Sequence, residues 1–299
     1  KKEENAQRDQ TALQRAQRAH IKEKQEKLLR EREAEAARRD EMARALYDKM
    51  VNGLRAEEIK RVRTAARKIQ KVWRGERPQE GRYREFTQAD IDIVGSETLA
   101  EHHDIEAPLV MLEALERLHT ELGFPTVTMH VNNRKLSEGF YRGLGIEEPA
   151  AVLQRVDKYD KIGPAAVKEL LTGELGLSDE VADKCVALAG ICTSDSSFIE
   201  QVRDFGVHND MLEEGLYSLN RVVGAVNREV PGRMVADLKI ARGLDYYTGT
   251  VYETMLSGHE SMGSVSSGGR YDSLASDGKH TYPGVGISLG LTRLLAPMI

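Results

Sequence analysis

The stretch Arg242-Gly243-Leu244-Asp245-Tyr246-Tyr247-Thr248-Gly249-Thr250-Val251-Tyr252-Glu253 sets a fixed cation and two adjacent tyrosines at the head of a β-branched run. An arginine fork grips phosphate oxygens two at a time and keeps its charge, while a tyrosine offers an apolar ring with a hydroxyl at its tip. The combination suits an anionic nucleotide beside a small polar substrate. Upstream, Trp73-Arg74-Gly75-Glu76-Arg77-Pro78-Gln79-Glu80-Gly81-Arg82-Tyr83-Arg84-Glu85-Phe86 places four arginines around a Pro/Gly turn between apolar-alternating segments, the pattern of a hairpin whose loop holds phosphates. A third element, Gly284-Val285-Gly286-Ile287-Ser288-Leu289-Gly290-Leu291-Thr292-Arg293-Leu294, reads as a strand turning through glycines into a helix that carries one arginine.

Between these elements, Gln88-Ala89-Asp90-Ile91-Asp92 alternates polar and apolar residues, so positions 88, 90 and 92 share one face of a strand. A pocket that reads a ligand by hydrogen bonds rejects apolar analogues, because they leave its own polar groups unpaired. Gly286-Ile287-Ser288-Leu289-Gly290 also fits the nucleophile elbow of hydrolases, but none of the eleven residues after Ser288 is Asp, Glu or His.

The three arginine-bearing elements, in this order, resemble motif 2, the histidine-specific motif and motif 3 of the histidyl-tRNA synthetases, a family of class II aminoacyl-tRNA synthetases. The resemblance extends through Val131-Asn132-Asn133-Arg134-Lys135-Leu136, Asp157-Lys158-Tyr159-Asp160-Lys161-Ile162-Gly163 and Ser267-Gly268-Gly269-Arg270-Tyr271-Asp272, and covers about Ile69 to Ile299. It implies ATP-dependent activation of histidine to histidyl-adenylate and transfer to tRNA(His), with Mg2+ accompanying the ATP and no protein side chain assigned to that metal. By the same resemblance Arg74 and Arg242 flank the α-phosphate as catalytic residues, Arg293 meets the γ-phosphate, and Glu76 sits near the adenine. Gly268, Gly269, Gly286 and Gly290 keep the nucleotide floor clear of side chains. Histidine falls to Gln88 at the α-amino group, Asp92 at the imidazole, and the tyrosines Tyr246 and Tyr247. Arg77 and Gln79 face the tRNA acceptor end.

The family dimerises largely through motif 1, which should precede motif 2 and is not found; an anticodon-binding domain does not follow motif 3. Homodimerisation is thus in doubt and activity is expected to be impaired. Two other readings compete. One is a regulatory paralogue of histidine biosynthesis, which tends to lose the motif 2 arginines kept here. The other is a helical scaffold for calmodulin-like proteins, because Ile69-Gln70-Lys71-Val72-Trp73-Arg74-Gly75 resembles the start of an IQ motif, although Pro78 would stop such a helix.

The elements that must position these groups belong to an α+β fold, a class II-like antiparallel sheet with helices, interrupted by a helical insertion and preceded by a long charged helical segment. Strands are expected near Gln70 to Arg74, Tyr83 to Val94, Thr126 to Val131, Arg233 to Leu238, Thr250 to Met255, Gly263 to Ser267 and Val285 to Ser288. Helices fill Thr98 to Gly123, with Pro108 marking a break, and Leu291 to Pro297. The insertion, about 147–228, is almost wholly helical with turns at Gly163 and Gly173. Residues 1–68 form a separate domain of coiled-coil-like helix, rich in Ala, Glu, Arg, Lys and Gln and free of proline, and 69–299 form the catalytic domain.

Of the 299 residues, 1–68 hold 20 Lys and Arg against 13 Asp and Glu, which leaves 23 basic and 35 acidic residues for the rest. An acidic catalytic part excludes a broad electrostatic grip on nucleic acid; RNA contact there must be local. Cys185 and Cys192 are too few for a disulfide framework and too far apart for a Cys-x-x-Cys pair, and both read as helix residues. No apolar run is long enough to span a bilayer, and a cytoplasmic location is expected.

Overall fold

The computed structural model describes residues 65–73, 85–241 and 246–296. Their strands are β1 (Ala65–Trp73), β2 (Glu85–Val94), β3 (Val127–Asn133), β4 (Cys192–Thr193), β5 (Met234–Asp237), β6 (Thr250–Leu256), β7 (Ser266–Tyr271) and β8 (Gly284–Gly290). They form one sheet in the order β1-β2-β8-β7-β6-β3-β5-β4, antiparallel throughout except where β3 meets β5. Eight helices accompany it among the described residues: α1 (His103–Leu122), α2 (Arg134–Gly143), α3 (Pro149–Val156), α4 (Tyr159–Leu175), α5 (Asp179–Ala189), α6 (Ser197–Arg203), α7 (Asp210–Glu229) and α8 (Leu291–Leu295). This is the α+β arrangement that the sequence implies. Helices α2 to α7 lie between β3 and β5, so a helical block interrupts the sheet, and parallel neighbours need such a crossover.

Alternation decides which face of the sheet is covered. Along β2, Thr87, Ala89, Ile91 and Ile93 are buried while Gln88, Asp90 and Asp92 are only partly so. The buried set belongs to a core with Ile287 and Leu289 of β8, Met129 and Val131 of β3, Met111, Leu115 and Leu118 of α1, and Leu219 and Val223 of α7. Each such side chain removed from water contributes about 1.5–3 kcal/mol, which fixes the register, since a one-residue slip would turn the whole set outward. Helix starts are set by side chains that satisfy the first free amides: Asn133 accepts from Lys135 N, Ser178 from Val181 N and Asn209 from Leu212 N.

Pro108 does not break α1, which runs unbroken from His103 to Leu122 and ends at Gly123 in the left-handed conformation. A proline there removes the amide that would bond the carbonyl of Asp104, four residues earlier. The hydroxyl of Tyr252 on β6 donates to that carbonyl at 2.6 Å. A sheet side chain thus takes the place of the missing helix donor and docks the helix at the same time.

Other expectations shift for equally local reasons. Residues 65–68, assigned to the charged helix by composition, lie in β1, where Ala65 to Lys68 pair with Ile93 to Asp90; the free edge of β2 overrides helix propensity. The turn at Gly163 is real, with φ 81 inside α4, but Gly173 is helical and the chain turns at Gly176. The strand expected from Gly263 begins at Ser266 and continues through Tyr271, so its glycines pair in a sheet rather than turn. Cys192 is not helical; it pairs with Asp237 in β4. Residues 1–64 with their expected helices, the arginine-rich hairpin turn at 74–84, and 242–245 lie outside the described residues, as does the end of the helix expected to reach Pro297.

Tyr252→Phe should cost about 1–3 kcal/mol by leaving a buried carbonyl without a donor. Adding Pro108→Ala restores an amide to that carbonyl, so chemical denaturation of the double variant should show a smaller loss than the sum of the two single changes. Strict additivity would sever the link between Pro108 and Tyr252.

Candidate active site

The uncovered face of the sheet carries the polar row of β2 and a strip of small residues beside it. Antiparallel register sets Gln88 opposite Gly290, Asp90 opposite Ser288 and Asp92 opposite Gly286, and then Ser288 opposite Ser267 and Gly286 opposite Gly269. Two of these glycines are demanded by close approach. A Cβ on Gly286 would stand 2.0 Å from Asp92 Oδ1, and one on Gly284 would fall within 2.3–2.5 Å of the Tyr271 ring. The bare backbone of β8 therefore lets the Tyr271 ring lie across it and donate from its hydroxyl to Asp92 Oδ1 at 2.8 Å. A Cβ on Gly269 would likewise meet the Tyr247 ring at 2.9 Å. Tyr246 stacks at a tilt on Tyr247, centroids 4.4 Å apart, and is itself exposed.

Asp92, Tyr271 and Tyr247 make one electrostatic cluster. Burial pushes the Asp92 carboxyl above its usual value, the Tyr271 hydroxyl pulls it back in part, and Asp90 adds to the rise. Burial, then the neighbouring Tyr246, then the Asp92 and Tyr271 charges hold the Tyr247 phenol neutral well above its ordinary range. Burial and the bond to Asp92 do the same for Tyr271. Asp92 is therefore a stronger proton acceptor than a free carboxylate, and both phenols keep their protons at neutral pH. Gln88 donates its amide to both oxygens of Asp90, at 3.0 and 3.1 Å. Tyr271 thus joins Gln88, Asp92, Tyr246 and Tyr247, the residues expected to hold histidine, as a member not expected from the sequence. The signal was present: Tyr271 stands two residues after Gly269 on a strand, and so on its face.

Gly268 lies on the opposite face from Gly269, and a Cβ there would come 2.0 Å from the Gly286 carbonyl oxygen, so its bareness serves the pairing of β7 with β8. Around Gly290 a Cβ would meet only ordinary contacts, the nearest at 3.4 Å. Arg293, on α8, donates from Nη1 to the carbonyl of Ser264 at 2.6 Å. Arg74, Glu76, Arg77, Gln79 and Arg242 lie outside the described residues.

On the covered face, directly behind the tyrosines, Arg270 fixes the segment that carries them. Its Nη1 donates to Asp104 Oδ1 at 2.9 Å, its Nε to Asp272 Oδ1 at 3.0 Å, and its Nη2 to the Leu99 carbonyl at 2.6 Å. Thr250 donates to the second oxygen of Asp104 at 2.8 Å, Thr248 to the second oxygen of Asp272, and the Thr248 amide to the Arg270 carbonyl at 2.9 Å. Each nitrogen of this fork finds an oxygen, and each carboxylate spans the arginine and a threonine of the 248–250 stretch. Burial pushes Asp104 up, and Arg270 and Thr250 counter it. No role for Arg270 is legible in the sequence alone.

A family model described as histidyl-tRNA synthetase matches residues 68–294. A histidine–tRNA ligase of Cutibacterium acnes is 83% identical over 231 residues, covering 77% of this chain and 51% of its own length. Another, from Micrococcus luteus, is 58% identical with coverages of 77% and 50%. The chain thus spans about half the length of these curated relatives. Among solved structures, histidyl-tRNA synthetase from Nostoc sp. PCC 7120 superposes with a TM-score of 0.68 at 34% identity, covering 78% of this chain and 54% of that one. An ATP phosphoribosyltransferase regulatory subunit/histidyl-tRNA synthetase from Bacillus halodurans C shares the fold at 20% identity, with a TM-score of 0.65 over 81% of this chain and 60% of that one. No described helix is long and apolar enough to cross a membrane.

Replacing Arg270 by methionine should cost about 3–5 kcal/mol in chemical denaturation, because Asp104 would be left buried without its cation. A second change, Asp104→Asn, should return part of that loss. A cost under about 1 kcal/mol would mean that the ion pair does not hold the segment.

Proposed function

The chain belongs to the histidyl-tRNA synthetase family, and on that premise we propose that its open sheet face activates histidine with ATP and passes the histidyl group to tRNA(His). The observation that carries the reading is the cluster of Asp92, Tyr271 and Tyr247 on a strip of small residues. An imidazole needs an acceptor for its N–H and a hydroxyl for its other nitrogen, and flat rings to lie between. Asp92 supplies the acceptor, Tyr247 the hydroxyl, since the Tyr271 proton is already given to Asp92, and both rings supply the walls. Gln88 and Asp90 extend the polar row toward the amino group of the substrate. Asp92 and the tyrosine rings cover Gly286, Gly284 and Gly269, so on this face it is the half-buried Ser267, Ser288 and Gly290 that remain for a phosphate chain or ribose.

In the reaction a carboxylate oxygen of histidine forms a bond to the α-phosphorus of ATP while the bond from that phosphorus to the bridging oxygen breaks and pyrophosphate leaves. Negative charge builds on the α-phosphate, and fixed arginine charge stabilises it without reorganisation. We assign Arg74 and Arg242 to that charge and Arg293 to the γ-phosphate, on the motifs that contain them. A terminal ribose hydroxyl of the tRNA then attacks the histidyl carbonyl and AMP departs, with Arg77 and Gln79 set toward the acceptor end. Mg2+ accompanying the ATP would offset the charge of its phosphates. The presence of all three motif arginines favours this reading over a regulatory paralogue.

Calorimetry tests it. In the presence of a non-hydrolysable ATP analogue, histidine should bind on the order of a hundredfold or more tighter than phenylalanine, because phenylalanine takes the water from Asp92 without giving it the N–H of an imidazole. Asp92→Asn should erase most of that margin. Equal binding of the two amino acids by the unaltered chain would remove histidine as the substrate.

A further inference from the structure

We propose that His130, Cys192 and Asp237 form a binding site for a divalent transition-metal ion of the zinc class. The three residues stand on neighbouring strands at the β3-β5-β4 end of the sheet. Cys192 and Asp237 are direct partners in antiparallel register, and His130 lies opposite Val235, two residues before Asp237, so all three side chains project from the same face. One donor atom from each lies within 4.8 Å of the other two. They line a cavity of about 630 Å³ whose lining also includes Asp157 and Tyr159 at the α3–α4 junction and Ser264.

The second observation is the state of Asp237. Its side chain is 1% exposed, and Oδ2 accepts from His130 Nδ1 at 2.7 Å and from Lys239 Nζ at 2.8 Å. Its other oxygen, Oδ1, is buried and has no hydrogen-bond partner among the described residues. An unpaired carboxylate oxygen in such a place is costly, and a cation beside it removes the cost. Lys239 reaches only the occupied oxygen and has Asp160 at 3.6 Å as a second partner, so it can yield its place.

The donor set names the class of ion. Magnesium and calcium take oxygen ligands, whereas an imidazole nitrogen, a thiolate and a carboxylate together suit zinc and its neighbours in the first transition row. Three protein ligands with a fourth position open to a cavity is the arrangement of a zinc ion that holds a water or one donor atom of an incoming ligand, rather than of a closed structural site. Cys192 is exposed, which gives the ion a way in, and on coordination the Cys192 thiol and the His130 imidazolium each release a proton to the solvent. Buried Cys185, by contrast, belongs to none of the His/Cys/Asp/Glu groupings among the described residues whose donor atoms come close enough to share an ion.

The whole chain, freed of metal and titrated with Co2+ alone, tests this. We expect one Co2+ per chain with a thiolate-to-cobalt charge-transfer absorption, abolished by an equimolar amount of Zn2+. The absorption should vanish in Cys192→Ser and persist in Cys185→Ala, and His130→Gln should weaken Co2+ binding by about tenfold or more. Since Cys192 is exposed, its substitution leaves the fold intact, which circular dichroism verifies. Absence of the charge-transfer band in the unaltered chain, or its survival in Cys192→Ser, would overturn the proposal. Binding through the other described grouping, His102, His103 and Glu106, would be silent in that band because it has no thiolate, and would count against it equally.

Discussion

The guanidinium of Arg270 is the contact on which the site depends. It joins α1, through Asp104, to the end of β7, through Asp272, and both carboxylates reach on to threonines at the start of β6. Taking the Arg270 guanidinium and the Asp104 carboxylate out of water is expensive, and such a pair holds only when its donors and acceptors are matched. Here each nitrogen of the fork has a partner, and the carbonyl of Leu99 takes the last of them. The consequence appears on the opposite face of the sheet. The stretch fixed from behind at Thr248 and Thr250 carries Tyr247 directly ahead of it, and Tyr247 is one wall of the proposed histidine pocket.

The pocket itself is made as much by missing atoms as by present ones. Asp92 and Tyr271 are on strands separated by β8, and they touch only because Gly284 and Gly286 have no side chains to hold them apart. That contact keeps the Asp92 carboxylate in one place, while burial raises the proton affinity of every member of the cluster. Rigid support on one face and a cleared surface on the other are what a site needs when a misplacement of about 1 Å can cost a hundredfold in rate.

How far the sequence could be read follows the range of the interactions involved. The period-two row of Gln88, Asp90 and Asp92 is local, and it faces the side it should. The sheet with a helical block between strands is likewise written in alternating and helical patterns. Pro108 misleads because its compensation, the Tyr252 hydroxyl, lies 144 positions downstream and only the tertiary fold brings it there. Residues 65–68 have the composition of a helix and the surroundings of a strand, and the pairing with β2 prevails. Tyr271 and Arg270 stood in a stretch already noted for its glycines, but nothing local tells that one residue reaches Asp92 and the next in line reaches Asp104, because they project from opposite faces of β7. Cys192 became part of a grouping with His130 and Asp237 through strand register alone.

Hydrogen exchange at the amides of the 246–250 segment, compared between the unaltered chain and Asp272→Asn, tests the support role of Arg270 most directly. Asp272 is half-exposed and bridges Arg270 to Thr248, so its change loosens the network without emptying the core. The account predicts that exchange at Thr248 and its neighbours rises by about tenfold or more while β2 and β8 keep their protection, as expected for opening confined to one local unit. Unchanged exchange at Thr248, or an equal rise across the whole sheet, would contradict it.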